Sequence, residues 1–157
     1  MNGTRIHAFI LALATAGSVL AIDTPKPEPR EPKDPALEQA RAAIGKQDWA
    51  GAQKVLRDAV ARNPQDADSH NLYAYALRKA DKPAMDLVFR HYNEALRLDP
   101  KHRGAHEYIG EAYLMSRNVP KAKEHLAHLD RLCTFGCEEY TKLKKEVAAY
   151  EQQHAKK

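Results

Sequence analysis

The sequence has no dense run of basic residues interleaved with aromatics, and its charges nearly balance, with 25 Lys and Arg against 21 Asp and Glu. A groove that tracks a nucleic-acid strand needs a cationic path and stacking rings together. A nucleic-acid partner is therefore excluded. The chain also has no Gly-x-Ser-x-Gly elbow, no phosphate-cradling glycine loop and no pair of carboxylates in a recognisable turn. Histidines without a placed nucleophile do not make an active site. It reads as a non-enzyme with no cofactor. Alternating strand patterns are absent as well, which leaves helix as the regular structure to look for.

Long apolar runs are scarce too. The only stretch of note, residues 8–20, follows a basic start at Arg5 and ends in Val19-Leu20-Ala21, small where a signal peptidase needs small residues. Residues 1–21 read as a signal peptide cleaved after Ala21. As a membrane anchor the stretch is short and diluted by Thr15, Gly17 and Ser18, so no stable membrane insertion is expected after cleavage. No cysteine lies near the cleavage site to carry a lipid. Losing Arg5 lowers the formal net charge from +4 to +3. The expectation is a periplasmic or secreted protein.

Residues 22–35 place Pro25, Pro27, Pro29, Pro32 and Pro35 between charges. Proline fixes φ and removes donors, so this stretch is read as an extended spacer rather than a ligand for a proline-reading domain. From residue 36 to 157 the chain is helical and repetitive. Asn63-Pro64 and Asp99-Pro100 close two units, each after an alanine and an apolar residue, Ala59-Val60 and Ala95-Leu96. The first unit then offers Ala40, Ala52, Leu56 and Ala59, with Asp48-Trp49 between its helices. The second offers His70, Tyr73-Ala74 and Leu77, then Val88, Tyr92 and Ala95. The third offers His106, Ile109-Gly110 and Tyr113, then Ala122, Leu126 and Leu129.

This pattern resembles the tetratricopeptide repeat. The resemblance covers units at about 33–66, 67–102 and 103–134. From small residue to small residue the spacing is 12 in the first unit (Ala40 to Ala52) and 12 in the third (Gly110 to Ala122). In the middle unit it is 14 (Ala74 to Val88), which places a two-residue insertion in the Asp81-Lys82-Pro83 turn. The fold expected is all-α, a right-handed superhelical solenoid of about three helix pairs. A capping helix at about 138–154 follows, with Tyr140, Leu143, Val147 and Tyr150 on one stripe.

Three departures stand out. The third unit lacks its closing proline and has Cys133-Thr134-Phe135-Gly136-Cys137 instead. In an exported chain that reaches an oxidising compartment the two thiols are read as a structural disulfide, with a Cys-x3-Cys copper(I) site assisted by Met115 or His125 as the alternative. Histidines, His70 and His106, open first helices where large apolar residues are usual. The spacings His102/His106 and His125/His128 invite a zinc reading, but two ligands do not make a tight site, so the metal assignment is none. The first helix of the first unit is weak, with Gln39 and Ala43.

Carried over from the resemblance, the groove lined by first helices presents Leu37, Arg41 and Ile44, then Asn71, Tyr75, Arg78 and Lys79, then Glu107, Glu111, Leu114 and Met115. Tyr75, Arg78 and Lys79 are expected to form a cationic, aromatic patch outside the core. The two-Lys, two-Asn clamp that some members use for a C-terminal carboxylate is not reproduced, since Tyr75 and Glu111 replace two of its positions. The function implied is an adaptor or scaffold of the cell envelope that holds a protein or peptide partner in this groove. The alternative is a small periplasmic copper- or redox-responsive protein working through Cys133 and Cys137.

Overall fold

The computed structural model describes residues 34–155. The expected leader and all but the last two residues of the proline-rich spacer lie outside the described residues. The described chain forms α1 (Pro35–Gly45), α2 (Trp49–Arg62), α3 (Ala67–Arg78), α4 (Met85–Leu98), α5 (Arg103–Met115), α6 (Val119–Leu132) and α7 (Glu138–His154), with no strand among these residues. The first helix begins inside the expected spacer. Asp34 caps it by accepting from the Ala36 amide, and Pro35 stands in the first turn, where a missing N–H is harmless.

Capping chemistry sets the repeat boundaries. Asp48 and Asn118 cap α2 and α6 by accepting from Gly51 and Lys121, and the residue before each, Gln47 (φ 57°) and Arg117 (φ 59°), takes the left-handed conformation that turns the chain sharply. The middle unit has a longer connection from Lys79 to Ala84, containing Asp81-Lys82-Pro83. Ala84 gives α4 no side-chain cap. The extra residues are thus absorbed outside the helices, where they displace only the loop.

Small residues let the helices approach. Ala40, Ala52, Ala74 and Ala122 are fully buried, and large side chains at Leu56, Tyr92 and Leu129 fill the space beside them. Gly110 is the tightest crossing: a Cβ there would stand 2.6 Å from a methyl of Leu143 on α7. Leu143 and Val147 are buried with Leu114, Ala122 and Leu129, while Tyr140 and Tyr150 pack at the edge, so α7 covers the face a fourth repeat would otherwise cover. A disulfide joins Cys133, the C-cap of α6, to Cys137, the N-cap of α7, across a Cα–Cα distance of 5.5 Å. It stands where the third unit lacks its proline.

Consecutive first helices touch one another, α1 with α3, α3 with α5 and α5 with α7, whereas α2, α4 and α6 do not meet. The described unit therefore curls with its first helices on the inside. Its inner face carries the residues of the expected groove.

Candidate functional site, the inner face of the first helices

At the N-terminal ends of the inner helices, polar groups form a ladder. Arg41 Nη2 lies 3.5 Å from Asp68, and His102 Nε2 lies 3.0 Å from the other oxygen of the same carboxylate. His102 Nδ1 accepts from the Ala105 amide at the start of α5, so the proton must sit on Nε2 and be donated to Asp68. That hydrogen bond, aided by the charge of Arg41, holds the Asp68 carboxyl below its usual range. Arg41 is thus tied to a neighbouring repeat although it remains exposed.

The middle of the face is aromatic. Trp49, the first residue of α2, meets Tyr75 edge-on at 6.1 Å, and Tyr75 meets Tyr108 at 4.7 Å. Lys79 is exposed, with its ammonium 5.9 Å from the Trp49 ring centre. Arg78 departs from the sequence expectation. It is 7% exposed, so it belongs to the core rather than to an open patch. Its guanidinium lies over the Tyr75 and Tyr108 rings at 5.4 and 5.9 Å, donates to Glu111 Oε2 at 2.6 Å and to Tyr92 Oη at 3.4 Å, and reaches Met115 Sδ at 3.8 Å. Burial disfavours the charge, yet Tyr92 and Glu111 more than compensate, and Arg78 holds its proton more tightly than a free arginine. The physical reason is that a ring of its own helix, Tyr75, and a ring and a carboxylate of α5, Tyr108 and Glu111, close over one guanidinium, a geometry that repeat position alone does not specify.

Beyond Arg78 the face opens into a cleft of about 520 Å³, walled by Lys79, Glu111, Leu114 and Met115 on one side and by Glu146 and Tyr150 of α7 on the other. Leu114 is buried in its floor, whereas Met115 is 52% exposed. Asn71 and Glu107, expected to face outward, are both buried. Burial pushes the Glu107 carboxyl up to about 7, with the nearby charge of Glu111 adding to the shift. Sequence reasoning missed Trp49 and Tyr108 as parts of this face. Trp49 opens a second helix, so a rule assigning the groove to first helices passes over it.

The histidines are packing elements. His70 Nε2 lies 3.2 Å from the Pro64 carbonyl and its Nδ1 lies 2.9 Å from His91 Nδ1; His106 repeats the arrangement with Pro100 at 3.1 Å and His125 at 3.0 Å. A carbonyl only accepts, so in the neutral pairs His70 and His106 carry their protons on Nε2, and His91 and His125 donate from Nδ1. Burial, together with the facing histidine, pushes His91 and His125 down to about 4. The partners His91 and His125 were not singled out as such from the sequence, although each lies on the second helix of its own repeat. Among the described residues no group of three or more His, Cys, Asp or Glu is placed to hold a metal ion. Both cysteine sulfurs are spent in the bridge.

Residues 37–84 match the family model of the tetratricopeptide repeat. Comparison with curated proteins gives no match. Among solved structures, the chain is similar to the TPR2B domain of yeast Sti1 in its pHsp70 complex, with TM-score 0.67, 22% identity, and coverage of 76% of this chain and 95% of that one. It is similar to the Yersinia enterocolitica type III secretion chaperone SycD in complex with a peptide of the translocator YopD, with TM-score 0.62, 15% identity, and coverage of 75% and 88%. The Arabidopsis OM64 TPR domain is a third, with TM-score 0.64, 17% identity, and coverage of 73% and 93%. At these identities the likeness is one of fold. Repeat spacing, the family model matched over residues 37–84 and the stacked helix pairs agree, and the described chain has the fold of a small tetratricopeptide-repeat protein.

Proposed function

We propose that this protein is a non-enzymatic adaptor that holds a segment of another protein on the inner face of α1, α3, α5 and α7. The observation that carries the reading is the cleft beside Arg78, where an exposed Met115 and the half-buried Tyr150 present apolar surface between charged rims. An exposed thioether in the same cleft as the Tyr150 ring suits an adaptable polypeptide partner. The fold supports the same reading, since similar structures are recorded with a peptide of YopD and with pHsp70. Proteins of this repeat family are generally interaction modules. The leader-like residues 1–21 further support a place in the cell envelope, where the bridge between Cys133 and Cys137 would persist.

Two experiments test this. A photo-crosslinking amino acid in place of Met115 is expected to join the partner in cells, whereas the same group in place of Ala127, exposed on α6, is expected not to. Adducts formed only from position 127 would contradict the reading. For export, the native protein is expected to begin at Ile22; an intact Met1 on protein from the envelope would remove the envelope assignment.

A further inference from the structure

Glu107 is 3% exposed and has no hydrogen-bond or ion-pair partner among the described residues. It stands among other carboxylates, and each of those is provided for. Glu111 is bonded to Arg78 at 2.6 Å, Glu138 to Lys142 at 2.6 Å, and Glu139 lies 3.7 Å from Arg103 Nε. Lys142 is the cation whose charge reaches Glu107, but its ammonium is committed to Glu138 on its own helix. Tyr108, beside Glu107 in the chain, gives its ring to Tyr75 and Arg78. One carboxyl is left over.

A second acceptor beside it also lacks a donor. Asn71 is 4% exposed, and its Oδ1 is buried with no partner. The Asn71 amide rests on Gly104, where a Cβ would stand 3.4 Å from Nδ2, and Gly104 lies one helical turn before Glu107 on α5. Asn71 therefore meets the face of α5 that also carries Glu107, along the seam between α3 and α5. An unsatisfied buried acceptor such as Asn71 Oδ1 costs about 1–3 kcal/mol, and burial disfavours the ionised form of Glu107, whose oxygens keep only slight access to solvent. Folding alone gives no reason to keep either group there.

We propose that the segment held on the inner face brings a lysine or arginine side chain to this seam, where its cation pairs with Glu107 and supplies the donor that Asn71 Oδ1 lacks. The proposal rests on the groove reading above and gives the partner a chemistry: a basic side chain with apolar neighbours for Tyr75 and Met115, rather than an acidic tail or a free C-terminal carboxylate. Charge complementarity selects this occupant at Glu107, because Lys142, the cation whose charge reaches it, and Arg78 on the same face are already paired with Glu138 and Glu111, while Lys79 stands apart over the Trp49 ring.

The test is a selection of random twelve-residue peptides, with blocked termini, on the full chain. Binders are expected to carry lysine or arginine at one fixed position. Changing that residue to glutamine, or Glu107→Gln in the protein, is expected to weaken binding at least about tenfold, and both changes together no more than either alone. Glu107→Gln keeps the side chain's shape and removes a buried charge, so it folds. Binders that are lost on Tyr75→Ala or Met115→Glu, yet show no basic preference or survive Glu107→Gln, would overturn this inference and leave the groove reading standing. Binders indifferent to all three changes would overturn both, as would a selection that yields none. Binders that emerge only after Lys26, Arg30 and Lys33 are replaced by glutamine would make the chain's own N-terminal segment the occupant and overturn a partner in trans.

Discussion

Arg78 and Glu107 both sit buried on inner helices, one near the end of α3 and the other in the first half of α5. Arg78 is enclosed by Glu111, Tyr92, Met115 and two aromatic rings, so its charge is spent within the fold. Glu107 has the opposite provision: other carboxylates for neighbours and no donor of its own among the described residues. A buried charge with every partner present organises a fold, whereas one with none costs stability that protonation or a ligand's cation recovers. Within one inner face, then, one buried charge is completed by the fold and the other is left for the proposed partner.

The largest effect is expected where the completed charge is broken. Arg78→Glu leaves Glu111 without its cation and sets a second carboxylate beside it, so we expect a loss of about 3 kcal/mol or more in denaturant unfolding. A change below about 0.5 kcal/mol would put Arg78 on the surface, as its repeat position alone had suggested. Because of this cost, a charge reversal at Arg78 does not report on binding.

Glu107 sharpens the contrast through pH. Its folded pKa, about 7, lies above the ordinary glutamate value, so the folded state keeps the proton longer than the unfolded one. Its contribution is greatest below about pH 4.5 and is lost as pH rises through 7. Glu107→Gln is therefore expected to raise stability at pH 8 by on the order of 2–3 kcal/mol while changing little at pH 4. His91 and His125 act in the other direction. Their folded pKa values near 4 lie below the unfolded 6.5, so their contribution is present above 6.5 and lost as pH falls towards 4. In the Glu107→Gln variant the decline between pH 6.5 and about 4 is expected to come from these histidines, ahead of the carboxylates such as Asp68 that are held below their usual range, and its absence would contradict the neutral histidine pairs.

Away from the inner face, the bridge at Cys133 and Cys137 closes a short loop, for which chain entropy gives about 2 kcal/mol. Cys133→Ser with Cys137→Ser is expected to lower stability by about that amount and leave peptide binding unchanged. Binding lost on reduction would move the function to that loop. Lys79→Glu is expected to change stability by less than about 0.5 kcal/mol, because the residue is exposed and holds only a ring contact to Trp49.

How much of this was legible follows from what each feature depends on. The repeats were legible because small residues recur at the crossings; Gly110 against Leu143 is the clearest instance. The capping stripe was legible because Leu143 and Val147 share one helical face. The start of the first helix was read late, since Pro35 looks like spacer until Asp34 is seen capping the turn it opens. The burial of Arg78 was not legible, because the groups that enclose it come from α3, α4 and α5 at once. Glu107 was placed on the inner face, but its lack of a cation depends on Lys142 choosing Glu138 and Arg78 choosing Glu111, which only coordinates reveal.

The most direct measurement follows backbone amide shifts of the full chain as a selected peptide is titrated in. The account predicts that the perturbed amides cluster on α3, α5 and α7 around Asn71, Tyr75, Glu107 and Met115, with α2, α4 and α6 little changed beyond Trp49. Perturbations concentrated on the outer helices α2, α4 and α6, with Glu107 and Asn71 unmoved, would contradict it.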